Sequence, residues 1–201
     1  MKKIVTALVI STGLLLAGCS SVGSAASVGS TQIKQSVIQS GIDTLLAERK
    51  KVDTSQMQLA TGEELNRSQV RFFILSAIFE AIAKELKLTV SATELATKKN
   101  EIITQVGGAA ALPKSLVGAT IVPQDLDRYL TLIIISTKIG KSLLASGVAD
   151  KDINTKITQM LIAKSKELKV TVNPRYGKWD PATGNIIAAN PAGAAVTPST
   201  K

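Results

Sequence analysis

The chain contains no histidine. Histidine is the side chain most often used as a general base, and it is the commonest metal ligand in proteins. No phosphate-binding loop is present either, because "GGAAALPK" lacks the spacing of the Walker motif. The carboxylates of "TGEE" and "ATELATKK" lie at helical spacing, which is typical of a solvated helix face. The sequence therefore predicts no catalytic residues, no cofactor and no metal site.

Aromatic residues are also scarce, at 3% of the chain, whereas the formal net charge is +9. A basic protein is a candidate for nucleic-acid binding. Bases would find few aromatic side chains on which to stack, and the basic residues are spread along the chain rather than clustered. We therefore expect no nucleic-acid partner, and we assign the excess lysine to a solvated surface near an anionic membrane or wall polymer.

Only one cysteine occurs, Cys19, so no intramolecular disulfide can form. It follows "MKKIVTALVISTGLLLAG", in which Lys2 and Lys3 precede an apolar run and a small-residue end, the pattern of a secretory signal peptide. A lone cysteine is often simply buried, but "CSSVGSAASVGS" offers no core around it. The stretch "LAGC" resembles the lipobox of bacterial lipoproteins, in which the cysteine receives a diacylglycerol and the peptide is cut just before it.

The lipobox defines the predicted domain boundaries at the start of the chain. Residues 1–18 are the signal peptide, and residues 19–25 are a lipidated flexible tether rich in Ser, Gly and Ala. Removal of residues 1–18 takes away Lys2 and Lys3 and lowers the formal net charge from +9 to +7. The mature protein is expected at the cell membrane, lipid-anchored and facing the extracytoplasmic side.

Five stretches have the apolar spacing of helices, so the predicted fold class is mainly α. The second, from about Glu63 or Asn66 to Leu86, is apolar except for a polar strip that includes Ser76 and Glu80, which predicts a central position in a bundle. The third opens with "SATE", a capping box. The other three cover approximately residues 33–52, 123–147 and 152–168.

A short strand is predicted after the fifth helix, where Val170 and Val172 alternate with polar residues. Pro174 cannot donate a ladder hydrogen bond, so the strand ends there. A lone strand leaves its backbone unpaired, and the other extended candidate is residues 26–32. The sequence therefore predicts a two-stranded closure that joins the beginning of the domain to its end. The helical domain would span residues 26–184, followed by a disordered Ala/Pro-rich tail at residues 185–201.

The stretch "NPRYGKWD" contains the only tryptophan, Trp179, and one of two tyrosines, Tyr176. Two interpretations are open. The aromatic pair forms a patch that contacts a bound peptide, or it packs over the helical core as part of the closure. The second is favoured, because few other large side chains are available to cover that end, and Tyr and Trp combine apolar area with a polar group.

Four stretches together resemble the chaperone domain of the SurA-type and PrsA-type foldases, which is also present in trigger factor: "VGSTQIKQSVI", "KELKLTVSATEL", "VPQDLDRYLTLIIISTKIGKSL" and "VTVNPRYGKWDPATG". The last is similar to the closing segment of actinobacterial lipoproteins of this group. The resemblance implies a five-helix domain of the SurA N-terminal type closed by its two ends. Many members of the family insert a parvulin isomerase domain, for which this chain has no room, so no isomerase activity is expected.

The resemblance also implies a function. The chain would be an ATP-independent chaperone that binds unfolded exported polypeptides in a groove between apolar side chains. A structural or scaffold lipoprotein that binds one specific envelope protein or anionic polymer is the alternative. The breadth of binding partners would distinguish the two.

Overall fold

A computed structural model describes residues 23–188, which form one helical body with short strands at the meeting point of its two ends. The predicted signal peptide, Cys19 and residues 189–201 lie outside the described residues. The described chain contains six α-helices, which are α1 (Gln35–Arg49), α2 (Gly62–Glu85), α3 (Ala92–Gln105), α4 (Leu112–Gly118), α5 (Leu126–Ala145) and α6 (Ile153–Glu167). It also contains five strands, which are β1 (Ser24–Val28), β2 (Thr31–Lys34), β3 (Thr171–Val172), β4 (Lys178–Asp180) and β5 (Asn185–Ile187).

Helix α2 lies at the centre of the domain and contacts α1, α5, α6 and the strands β1, β2 and β5. Its side chains at intervals of four, Val70, Ile74, Ile78 and Ile82, are all buried. The predicted polar strip is only partly correct, since Glu80 is exposed but Ser76 is buried. The hydroxyl of Ser76 donates to the carbonyl oxygen of Phe72 one turn earlier, over 2.9 Å, so it needs no water.

A second, smaller apolar cluster joins α3, α4 and α5 around the buried Leu116, Leu126 and Leu130. Helix α4 has no counterpart among the five predicted helices. Pro113 lies in the first turn of α4, where its missing N–H removes no hydrogen bond, and Val117 is buried. The described domain therefore has six helices rather than five.

The predicted capping box at the start of α3 is confirmed. The Ser91 hydroxyl accepts from the backbone N–H of Glu94 over 3.2 Å, and the Glu94 carboxylate accepts from the backbone N–H of Ser91 over 2.9 Å. These two bonds satisfy donors that the helix itself leaves free.

Three strands form one antiparallel sheet in the order β2-β1-β3. Residues 26–32 were predicted to be a single extended segment, but they belong to a hairpin, since the chain turns at Gly29 (φ +59°) and Ser30 between β1 and β2. Strand β1 also begins inside the predicted tether of residues 19–25, and Ala25 is fully buried. The closure is thus three-stranded, and the folded domain begins at least two residues earlier than predicted.

Strands β4 and β5 form a separate antiparallel hairpin, with Trp179 opposite Ile186. The predicted tail began at residue 185, and this boundary is wrong, because residues 185–187 are β5 and Ile186 is buried against the core. Arg71 of α2 fixes the turn of the hairpin, since its Nε donates to the carbonyl oxygen of Gly184 over 2.9 Å.

Candidate functional site

The predicted closing strand is present as β3 and pairs with β1, but it is shorter than predicted, since it contains Val172 and not Val170. Val172 lies opposite Ala26. The backbone N–H of Asn173 donates to the carbonyl oxygen of Ala25 over 2.9 Å, and its side-chain amide donates to the carbonyl oxygen of Ser24 over 3.1 Å. The two ends of the described chain are therefore joined by backbone and side-chain bonds.

Tyr176 and Trp179 pack as the structural interpretation proposed. They are only 8% and 7% exposed, and both belong to the main apolar cluster. Pro174 ends the strand and begins a single 3-10 turn, in which the Asn173 side chain accepts from the backbone N–H of Arg175 over 3.1 Å. The aromatic pair is therefore part of the core rather than an exposed platform.

Gly177 joins this turn to β4 in a conformation that favours glycine, with φ +115° and ψ −153°. A Cβ at this position would overlap the carbonyl oxygen of Ile187 and lie 3.0 Å from Cγ2 of Ile186. The end of β5 thus lies directly against the turn that follows β3. The uncharged composition of residues 185–201 predicts a tail and gives no sign of this contact.

A groove of about 600 Å³ opens between β3 and the β4–β5 hairpin, and we call it the hairpin groove. Among residues 23–188, Lys178 is the one charged residue that lines it, and Ile187 is 49% exposed. The size lies within the usual range for ligand sites in proteins. The lining residues are Val170, Thr171, Val172, Pro174, Gly177, Lys178, Trp179, Ile187 and Ala188.

Among residues 23–188, one edge of the two-residue strand β3 forms no ladder hydrogen bonds, although β4 contacts this strand. Residues that face each other in an antiparallel ladder alternate between hydrogen-bonded and non-hydrogen-bonded pairs. Asn173 and Ala25 form a hydrogen-bonded pair, so the next such pair is Thr171 and Ser27. The backbone N–H and C=O of Val172, which lies between them, therefore point away from β1. Among residues 23–188, no strand other than β1 pairs with β3. An open strand edge can accept an extended peptide as an additional strand.

The indole Nε1 of Trp179 is buried and has no acceptor among the described residues. A buried donor without a partner lowers stability by about 1–3 kcal/mol. Trp179 lines the hairpin groove, so its indole N–H is an unsatisfied donor located between the groove and the core.

A second groove, of about 370 Å³, lies between α3 and α5, and it is lined by charges of both signs. The Lys138 ammonium lies 2.6 Å from the Glu94 carboxylate, and Lys98 lies 2.8 Å from Glu101. The hydrogen bond from Lys138, with that from the Ser91 backbone, lowers the pKa of Glu94 from 4.5 to about 2. These charges neutralise one another across two packed helices, so the arrangement favours a structural role over the recognition of a charged ligand.

Across residues 23–188, no three His, Cys, Asp or Glu side chains are grouped closely enough to hold a metal ion. Over the same range, no helix combines the length and the apolar character that a bilayer span requires. Comparison with protein-family models, with curated protein sequences and with solved structures finds no match for this chain. The features of this chain that bear on its function are therefore the geometry of the two grooves and the sequence motifs.

Proposed function

We propose that this chain is a membrane-anchored lipoprotein that binds unfolded exported polypeptides without ATP, in a domain of the SurA N-terminal type. The observation that carries the proposal is the hairpin groove, which combines apolar walls with the open edge of β3. Pairing with a strand edge uses only the backbone of the client, so it is independent of client sequence, and apolar walls add affinity for exposed hydrophobic segments.

The proposed anchor gives the groove a defined location. Strand β1 begins at Ser24, five residues after Cys19. A five-residue segment spans at most about 18 Å, so a lipid on Cys19 would hold the domain close to the membrane surface. Clients that emerge from the membrane would therefore meet the domain at high local concentration.

The architecture supports the family resemblance as far as element order is concerned. A β-hairpin precedes the first helix, a capped helix follows "KELKLTV", and β3, which follows the last helix, pairs with β1. The extra helix α4 lies between the third and fourth predicted helices. We propose no isomerase activity, and a proline-limited folding assay should give the uncatalysed rate.

The test is suppression of aggregation by the mature chain without its lipid, residues 20–201. Several unrelated unfolded proteins are diluted into buffer with and without this chain, and light scattering is followed without ATP. We expect slower aggregation of all of them, with only modest salt dependence, because apolar burial is not screened by ions.

A matched pair of variants locates the site. Ile187→Lys places a charge in the hairpin groove, and Val37→Lys makes a comparable change on α1, since the two side chains are 49% and 45% exposed. We expect Ile187→Lys to reduce suppression and Val37→Lys to leave it unchanged, with both variants retaining the parental circular dichroism spectrum. Equal suppression by both variants would exclude the hairpin groove as the client site.

If the parent protects no client but binds one envelope protein or anionic polymer, the scaffold function replaces the chaperone function.

A further inference from the structure

A polar cleft of about 240 Å³ lies on the sheet of β1, β2 and β3, and we call it the sheet cleft. Five of its lining residues have hydroxyl or amide side chains, namely Ser24, Ser27, Gln32, Thr171 and Asn173. The hydroxyls of Ser27 and Thr171 lie 2.6 Å apart and share one proton, so the second hydroxyl proton is free to donate to another acceptor. The sheet cleft therefore offers neutral donors to a ligand that carries acceptor oxygens.

Two cations lie at the end of the sheet where the folded domain begins. Lys34 is paired with Ser24, the first residue of β1. Nη1 of Arg175 donates to Oε1 of Gln35 over 3.1 Å, and its guanidinium lies 5.7 Å from the centre of the Tyr176 ring. Both cations are exposed, and neither forms an ion pair within residues 23–188. Both charges are therefore available to an anionic partner.

The chain segments that form the sheet carry charge of one sign. Residues 20–42 contain no Asp or Glu, and neither do residues 168–179. The first segment provides β1, β2 and the start of α1, and the second provides β3 and the turn that follows it. The positive charge of the sheet is therefore not neutralised by its own segments, so the potential at this end favours an anion.

The proposed anchor determines which anionic surface is within reach. Ser24 is five residues from Cys19, so a lipid on Cys19 would hold the start of β1 within about 18 Å of the membrane surface. Basic residues next to a membrane are attracted by anionic phospholipids. The tether gives the membrane a high effective concentration at the sheet, an advantage that a free anion does not have.

We propose that the sheet cleft, with Lys34 and Arg175, is a docking surface for the headgroups of anionic phospholipids in the membrane that carries the anchor. The two cations pair with headgroup phosphates, and the free hydroxyl proton of Ser27 and Thr171 is donated to a phosphate oxygen. Docking at two cations and a cleft gives the domain one preferred orientation on the bilayer. The inference rests on the membrane anchor of the proposed function, but not on the binding of unfolded clients.

The test uses the mature chain without its lipid, residues 20–201, so that an anchor cannot cause the association. The chain is sedimented with vesicles of phosphatidylcholine alone and with vesicles of phosphatidylcholine and phosphatidylglycerol in equal parts. We expect binding to the anionic vesicles alone at about 0.1 M salt, and its loss at about 1 M, because ions then screen exposed charges. Absence of binding to the anionic vesicles at about 0.1 M salt would overturn the proposal.

A matched pair of double variants locates the surface. Lys34→Gln with Arg175→Gln removes both cations, and Lys50→Gln with Lys51→Gln makes the same change in net charge beyond the far end of α1. The 15 residues of α1 span about 22 Å, about twice the Debye length at 0.1 M salt. We expect the first pair to weaken vesicle binding about thirtyfold and the second to leave it unchanged. Equal binding by the two double variants, both with the parental circular dichroism spectrum, would show that the sheet is not the docking surface.

Nuclear magnetic resonance tests whether the sheet cleft itself holds the headgroup. Amide chemical shifts of Ser27, Gln32 and Thr171 are recorded with lipid nanodiscs of the two compositions and with inorganic phosphate. We expect these amides to shift with the anionic discs alone. Saturable shifts with millimolar inorganic phosphate would assign the cleft to a free anion, and shifts with soluble polyglutamate would assign it to an anionic polymer. Either result would overturn docking to lipid.

The aggregation assay separates this inference from the proposed function. Vesicle binding that depends on Lys34 and Arg175, without any suppression of aggregation, would support lipid docking and refute the chaperone function. Suppression of aggregation without binding to anionic vesicles would support the chaperone function and refute lipid docking.

Discussion

The hydroxyl oxygens of Ser27 and Thr171 lie 2.6 Å apart, although 144 positions separate the two residues in the chain. They face each other on β1 and β3, on the exposed side of the sheet. On the opposite side, Ala26 and Val172 contact the main apolar cluster. The first and last parts of the described chain are therefore one structural unit, and the loss of either should affect the whole domain.

Truncation measures the contribution of this closure to stability. A chain that ends at Leu168 lacks β3, β4, β5 and the buried Trp179. Each large buried side chain contributes about 1.5–3 kcal/mol, and a domain of this size has about 5–15 kcal/mol in total. We therefore expect most of the stability to be lost. The measurement is the urea concentration at the midpoint of unfolding, followed by circular dichroism. A chain that ends at Ala188 is the control, and we expect its midpoint to be close to that of the parent. Equal midpoints for the two truncations would show that the closure is not needed.

Gly177→Ala tests the contact between the turn after β3 and the end of β5. The new Cβ would be forced against Ile187, in a backbone conformation that only glycine adopts readily. We expect a loss of about 1–3 kcal/mol or more in the free energy of unfolding. Gly147→Ala is the control, because Gly147 also has a positive φ, of +90°, but no atom lies within 4 Å of the added Cβ. If the two variants unfold at the same urea concentration, the backbone contact is unimportant.

The pH dependence of stability should report on Glu94. Its pKa is lowered to about 2 in the folded state, so the charged carboxylate stabilises the fold at pH values above 4.5. This contribution should be lost as the pH falls from about 4.5 to about 2, because protonation then removes the bonds from Lys138 and Ser91. In Glu94→Gln, the thermal midpoint should be lower at pH 7 and should fall less over this range. Parallel pH profiles for parent and variant would contradict the assignment.

Cys19→Ser tests the proposed anchor. The "LAGC" motif predicts a diacylglycerol on this cysteine, followed by cleavage before it. We expect the variant to remain uncleaved at this site and to lose the mass of the lipid, as intact-protein mass spectrometry would show. Ser20→Ala is a neighbouring change that should leave both steps intact. Identical masses and identical detergent partitioning for parent and Cys19→Ser would rule out lipidation.

Local signals in the sequence were sufficient for several elements. The capping box of Ser91 and Glu94, the apolar character of α2 and the strand at Val172 depend on residues within a few positions of one another. Helix caps and side-chain periodicity are local properties, which is why these predictions agree with the structure. The hairpin of β4 and β5 also has a local signal, because the turn-forming stretch "DPATG" separates Trp179 from "NII". The signal is weak, since "NII" continues into a long uncharged segment that predicts a tail.

The sequence by itself determined the helical class, the capped start of α3 and the position of the closing strand, because each follows from neighbours along the chain. Only the tertiary structure decided that Tyr176 and Trp179 are buried, that Ser76 lies inside, and that Ile187 and Ala188 line a groove with β3. Burial and cavity shape depend on which distant segments come together. The contact of Gly177 with Ile187 is likewise a property of the packed domain, because the two residues belong to segments that meet only on folding.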